Sequence, residues 1–139
     1  MSNRSAPVLP VGVGPHAERE LLLMLAGSKP AAMFSEAVQH RSIIPEADFA
    51  PYVADGRLVK REYLTGDPQT GIEFIHIYYA LPGEEWRIDA LHKLEVGIQQ
   101  RTIVATPEIE TEIGRLLGYT EDEIAAYLIW TRIRKQSAE

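Results

Sequence analysis

The chain has 139 residues, no cysteine and a formal net charge of −6 at pH 7. This length fits one domain, and the lack of cysteine excludes disulfides, thiolate metal sites and thiol nucleophiles and favours a reducing cytoplasm. The acidic balance argues against broad affinity for nucleic acid, because such affinity depends on neutralising phosphates.

The chain is predicted to consist of a flexible N-terminal segment and one folded domain. Residues 1–14 hold prolines and glycines between small apolar residues, a composition typical of extended or mobile chain. Met1–Pro15 lacks the layout of a signal peptide, and no apolar run approaches the roughly 20 residues that span a bilayer. We therefore expect a single domain over residues 15–139, with no membrane partner.

The elements before the middle of the chain are a helix, a short strand and a second helix. Pro15 suits the first turn of a helix and Gly27 its end. Leu21–Leu25 is apolar all round, so we expect that helix to be buried on more than one face. Ala31–Val38 fits either a strand or a helical turn, and we favour a strand. Pro45–Ala54 is predicted to form a short helix.

The strongest β signal is a hairpin over residues 57–81. Arg57–Leu64 and Gly71–Leu81 are rich in Val, Ile, Phe and Tyr, and a polar turn separates them. In the second strand one set of alternate side chains is Ile75, Ile77 and Tyr79, and the other is Phe74, His76 and Tyr78. Both sets are partly apolar, so we expect this strand to be central and covered on both sides.

The last third of the chain is predicted to be helical. Glu84–Gln100 has one apolar stripe, and residues 101–105 fit either a short strand or an extended connection. Thr106 is a good N-cap for a helix that ends at Gly118, and residues 120–123 form a capping box that opens the last helix. We therefore predict an α+β fold, in which a small antiparallel sheet packs with an N-terminal helix and three C-terminal helices.

The last two predicted helices have the spacing of a helix-turn-helix. Gly114, Gly118 and Ile124 lie where two helices can cross closely, which is a packing requirement and not a DNA requirement. DNA reading places the start of the second helix in the major groove, and that start is acidic: Glu121, Asp122 and Glu123. These carboxylates repel phosphates but complement the helix dipole. A transcriptional regulator is therefore an alternative, and a partner protein with a basic surface is preferred.

Histidines and carboxylates supply weaker candidate sites. Glu85, Asp89 and His92 share one helix flank, where they form either a divalent metal site or a solvated face. His76 is either a structural histidine or a general base oriented by a nearby glutamate. No nucleophile motif, P-loop or dinucleotide fingerprint occurs. We therefore predict no metal and no cofactor, and a small enzyme or ligand-binding domain using His76 and His92 remains an alternative.

The remaining candidates are aromatic. Most aromatic residues are expected to complete the core, whereas Tyr78, Tyr79 and Trp130 are predicted to anchor a partner together with the three carboxylates of the last helix. The predicted function is a small cytoplasmic binding protein of the inhibitor, immunity, antitoxin or anti-defence type, which occludes a basic site on its partner. An open strand edge also invites a homodimer.

Overall fold

The structure, a computed structural model, describes residues 15–138 and the side chains of residues 15–132. The predicted flexible segment 1–14 lies outside the described residues. The helices are α1 (Glu20–Leu25), α2 (Glu46–Ala54), α3 (Trp86–Gln99), α4 (Pro107–Leu116) and α5 (Glu121–Ala138), the strands are β1 (Ala31–Ala37), β2 (Val59–Gly66) and β3 (Glu73–Ala80), and a 3₁₀ segment covers Val38–Ile43. The predicted α+β fold is confirmed.

The sheet has three strands in the order β1-β3-β2, and both outer strands are antiparallel to β3. This order confirms the hairpin and the strand near residues 31–38. His76 lies opposite Ser35 of β1 and Tyr63 of β2. Residues 75–80 are all buried, which confirms that the second hairpin strand is central and covered on both sides.

The two faces of the sheet carry two separate apolar clusters. On one face Ile77 and Tyr79 pack with Met24 of α1 and Phe49 of α2, and the rings of Phe49 and Tyr79 stack 4.1 Å apart. On the other face Tyr78 packs against residues of α3 and α4. Alternation along one strand therefore sends successive side chains into different clusters, as the pleat requires.

The predicted caps around the last two helices are confirmed. Thr106 accepts a hydrogen bond from the N–H of Ile109, at 3.3 Å. Thr120 and Glu123 cap each other's backbone N–H groups at 3.1 and 2.8 Å, which is the predicted capping box. Gly118 ends the preceding helix with a φ of 85°, a conformation that favours glycine.

Two features of α1 differ from the prediction: the helix begins at Glu20 and not near Pro15, and it is not covered on more than one face. Leu22 is 72% exposed and only Met24 of α1 is buried, so the expectation that this helix is covered on more than one face is wrong. The reason is that α1 packs against a single face of the sheet, at one end of the first cluster. Residues 101–105 form an irregular connection, which is one of the two alternatives that the sequence left open.

None of the described helices combines the length and the apolar character that crossing a membrane requires.

Candidate functional site

The predicted partner carboxylates at the start of α5 are mostly engaged within the chain. Both oxygens of Glu121 accept hydrogen bonds from the guanidinium of Arg115, each at 2.9 Å, and this contact lowers the pKa of Glu121. Glu123 accepts hydrogen bonds from Thr120 and from the imidazole of His16. Asp122 is exposed. The acidic start of α5 therefore stabilises the packing of the last helices.

A buried polar cluster that the sequence did not reveal surrounds Lys29. Its ammonium donates to the carbonyl of Leu117 at 2.6 Å and to Nδ1 of His16 at 3.0 Å, and lies over the ring of Tyr119. Nε2 of His16 lies 2.9 Å from Glu123. Since Nδ1 accepts from Lys29, the neutral imidazole carries its proton on Nε2 and donates it to the carboxylate. Lys29 is 1% exposed, and burial lowers its pKa to about 8.

The two tyrosines predicted as partner anchors belong to the core. Tyr78 is 0% exposed and Tyr79 is 1% exposed, because both lie on the central strand. The Tyr78 hydroxyl is 2.9 Å from Nδ1 of His92, and burial raises the pKa of both tyrosines. Their assignment as anchors is therefore corrected. Trp130 is half-buried, and its ring lies 5.8 Å from that of Tyr127.

The structure brings His76 and His92 together, with ring centroids 5.8 Å apart. His76 is held between two hydroxyls, with Ser35 Oγ 2.8 Å from Nδ1 and Thr65 Oγ1 2.7 Å from Nε2. The predicted orienting glutamate is thus replaced by hydroxyl groups. Burial lowers the pKa of both imidazoles.

The direction of the hydrogen bonds around His76 follows from the orientation of the Gln99 amide, which places Oε1 towards Thr65 and leaves the buried Nε2 without a partner among the described residues. Thr65 donates its only hydroxyl proton to Oε1 of Gln99 at 2.6 Å. Its oxygen must therefore accept the Nε2–H of His76. The Nδ1 atom of His76 is then a lone pair, and Ser35 donates its hydroxyl proton to it. This is the polarity that a hydroxyl nucleophile and its base require.

The predicted metal flank does not converge on a common point. Glu85 accepts from the N–H of Gly83, and His92 binds Tyr78 and stacks on the ring of Tyr63 at 4.0 Å. Asp89 is exposed. Across the described part of the chain, no group of three His, Asp or Glu side chains is arranged to hold a metal ion.

A groove of about 840 Å³ lies between β1, α1 and α2, and is called the β1 groove below. Its carboxylates are Glu18, Glu20, Glu36 and Asp48, and its described lining contains no Lys, Arg or His. Leu22 and Ile43 line it and are 72% and 65% exposed. The β1 groove is therefore acidic and apolar at once.

A smaller cavity of about 290 Å³ lies between α3, α4 and α5 and shares Met33 and Tyr119 with the β1 groove. Its remaining described lining is mostly apolar, apart from Glu95 and Glu110. Burial, reinforced by the charge of Glu110, raises the pKa of Glu95. The two concave surfaces therefore meet at β1.

Comparisons of the chain with protein-family models, curated proteins and solved structures find no match. The β1 groove was missed because Leu22 and Ile43 resemble core residues in sequence. The sequence of residues 31–38 favoured a strand but gave no information on whether the outer edge of that strand was covered.

Proposed function

We propose that this protein acts by binding another protein, whose basic and apolar surface it occludes, in the manner of an inhibitor or immunity-type factor. The single observation that carries the proposal is the β1 groove, in which exposed Leu22 and Ile43 stand among four carboxylates. The lack of cysteine supports a cytoplasmic setting.

The two chemistries of the β1 groove have different roles in such an encounter. Contiguous exposed apolar surface rimmed by polar groups is typical of an interaction site. Carboxylates clustered on one surface steer a cationic partner and raise its association rate, an effect that salt screens. The groove carboxylates replace those of α5 in this role, since Glu121 and Glu123 already bind Arg115 and His16. Trp130 and Asp122 remain candidates for the edge of the interface.

The test is affinity capture with variants of the groove and of matched surface positions. Leu22→Ser and Ile43→Ser should each abolish capture of the partner, whereas Leu64→Ser and Val104→Ser should retain it. The last two are matched controls, because all four side chains are large, apolar and exposed and only Leu22 and Ile43 line the β1 groove. Asp48→Lys should weaken binding more than Asp89→Lys, a change at an exposed carboxylate outside the β1 groove, and the difference should be largest at low salt. Loss of the partner with both groove and control variants, or with neither, would contradict the proposal.

A second candidate function is favoured by Ser35, an exposed residue whose Oγ lies 2.8 Å from Nδ1 of His76. We infer that Ser35 can act as a nucleophile with His76 as its base. A fluorophosphonate probe should label the wild-type chain and leave Ser35→Ala and His76→Gln unlabelled. Equal labelling of the wild type and Ser35→Ala would exclude Ser35 as the nucleophile.

A further inference from the structure

Two backbone hydrogen bonds at the strand ends show which groups of the sheet point outward. Leu81 N–H donates to the Pro30 carbonyl at 3.0 Å, and Asp67 N–H donates to the Ile72 carbonyl at 2.9 Å. In antiparallel pairs the bonded positions alternate along a strand. The backbone N–H and C=O groups of the even-numbered residues of β1 therefore bond β3. Those of the odd-numbered residues point away from β3, towards the open edge of the sheet. On β2 the backbone N–H and C=O groups of the even-numbered residues point outward.

The outward groups of β1 are accessible at its centre. Ala31 is fully buried, whereas Met33 is half-buried and Ser35 is exposed. No hydrogen bond between described residues reaches the outward backbone groups of Met33 or Ser35. These two residues thus present donors and acceptors with the spacing of a sheet edge, which is a template for another strand.

Concave surfaces lie on both sides of this edge. The β1 groove includes Phe34 and Glu36, which point to the α1–α2 face of the sheet, and the smaller cavity includes Glu95 on the α3 face. Met33 and Tyr119 line both. A strand added beside β1 sends successive side chains to opposite faces, so they would enter the two concavities in turn.

We propose that β1 accepts an extended segment of a partner protein as an added strand, with apolar and Lys or Arg side chains that enter the two concavities. The inference rests on the proposed function and names its mode of binding. Main-chain hydrogen bonds to Met33 and Ser35 supply the pairing, and the side-chain sites supply selectivity.

Charge identifies the occupant as a basic partner and not a second copy of the chain. The β1 groove has four carboxylates and no Lys, Arg or His in its described lining. A second copy pairing through β1 would bring another Glu36 against these carboxylates, and like charges in a low-dielectric site repel. Lysine and arginine side chains carry the complementary charge on long apolar stems.

The first experiment uses a short synthetic peptide in which valine and arginine alternate. Isotope-labelled protein should show slowed amide exchange at Met33 and Ser35 when this peptide binds. Two N-methylated forms of the peptide, each blocked along one of its edges, should differ, because only one edge of an added strand faces β1. Equal binding by both forms, or unchanged exchange at both amides, would overturn the proposal.

The second experiment places proline on each free edge. Ser35→Pro removes an outward donor of β1 and should weaken peptide binding about tenfold, the loss expected for one hydrogen bond. Leu64→Pro removes an outward donor of β2. Neither substitution removes a hydrogen bond between strands of the sheet. The Leu64→Pro variant should therefore bind the peptide as the wild type does. Equal affinities of the two variants would refute strand addition. The N-methylated peptides remain decisive if Ser35→Pro fails to fold.

Three further outcomes separate the possible failures. A captured partner that is lost with Leu22→Ser and retained by Ser35→Pro would leave the proposed function standing and overturn strand addition. A wild-type dimer in sedimentation that Ser35→Pro dissociates would overturn it in favour of a second copy. Peptide binding without any natural partner would support the edge site and count against the proposed function.

Discussion

The ammonium of Lys29 donates to Nδ1 of His16 over 3.0 Å, in a site from which solvent is excluded. The opposite ring nitrogen binds Glu123 of α5. A chain of ionisable groups thus joins the turn before α1 to the capping box of the last helix. Because Lys29 also caps the Leu117 carbonyl, the protonation states of this cluster are coupled to folding.

The free energy of unfolding should increase as the pH rises from about 8 towards 10, because the buried Lys29 loses its proton. Its folded pKa is about 8, against 10.5 unfolded, so the unfolded state binds more protons in this window and stability increases with pH. Deprotonation removes the cost of burying the charged Lys29 ammonium, which is on the order of 3 kcal/mol. Urea unfolding at stepped pH should show this rise in the wild type, and a matching slope in Lys29→Met would contradict the assignment.

Above pH 10 the trend should reverse. Burial raises the pKa of Tyr78, Tyr79 and Tyr119 in the folded state, whereas unfolded tyrosine ionises near pH 10. The folded state then holds more protons, and stability falls as the pH rises. Absorbance at the tyrosinate band should show these rings ionising together with unfolding. Ionisation of all the tyrosines before unfolding would contradict the prediction.

Acid should destabilise the protein below pH 6.5. Burial lowers the folded pKa of His16, His76 and His92 from the usual 6.5. The unfolded state therefore binds more protons as the pH falls through 6.5, and folding stability decreases. Titration of the three imidazoles by NMR checks the cause directly. A flat stability profile between pH 7 and the onset of carboxylate protonation would refute it.

Two glycines with similar backbone geometry should differ in their tolerance of alanine. Gly118 and Gly27 have φ values of 85° and 79°, so alanine at either costs about 1 kcal/mol of left-handed strain. A Cβ at Gly118 would also collide with Cδ of Pro30, whereas the space beside Gly27 is open. We expect Gly118→Ala to lose roughly 1–3 kcal/mol more than Gly27→Ala. Equal midpoints in chemical unfolding would disprove the contact.

Thr65→Val should reveal the hydrogen-bond network of His76. The change leaves His76 Nε2 and Gln99 Oε1 without partners, and we expect a loss of about 1–3 kcal/mol of stability. Thr70→Val removes an exposed contact to Asp67 and should cost less. Nitrogen NMR of the wild type should show the proton of neutral His76 on Nε2; a proton on Nδ1 would reverse the direction assigned to Ser35.

The parts of the fold that sequence predicted are those encoded locally. The hairpin follows from two β-rich runs and a polar turn, and the capping box from Thr120 and Glu123 three residues apart. The Lys29 cluster was not predictable, since a lysine side chain usually lies on the surface. Its partners His16 and Glu123 are brought together only by tertiary packing.

The candidate site was predicted less well than the fold, for a physical reason. Tyr78 and Tyr79 look like interface aromatics, and only the docking of helices on both sheet faces buries them. Leu22 and Ile43 look like core residues, and only the single-faced packing of α1 and the shape of the β1 groove expose them. Exposure depends on which surfaces meet, and the local pattern does not encode it.

The position of β3 also affects how the sheet is assembled. One of its neighbours arrives through a tight hairpin, and the other is separated from it by the 3₁₀ segment, α2 and β2. Since closing a longer loop costs more entropy, we expect the hairpin to form first and β1 to dock afterwards. During that interval the β3 edge around Ile77 is open, so concentrated refolding chains would exchange β1 between molecules and form domain-swapped dimers.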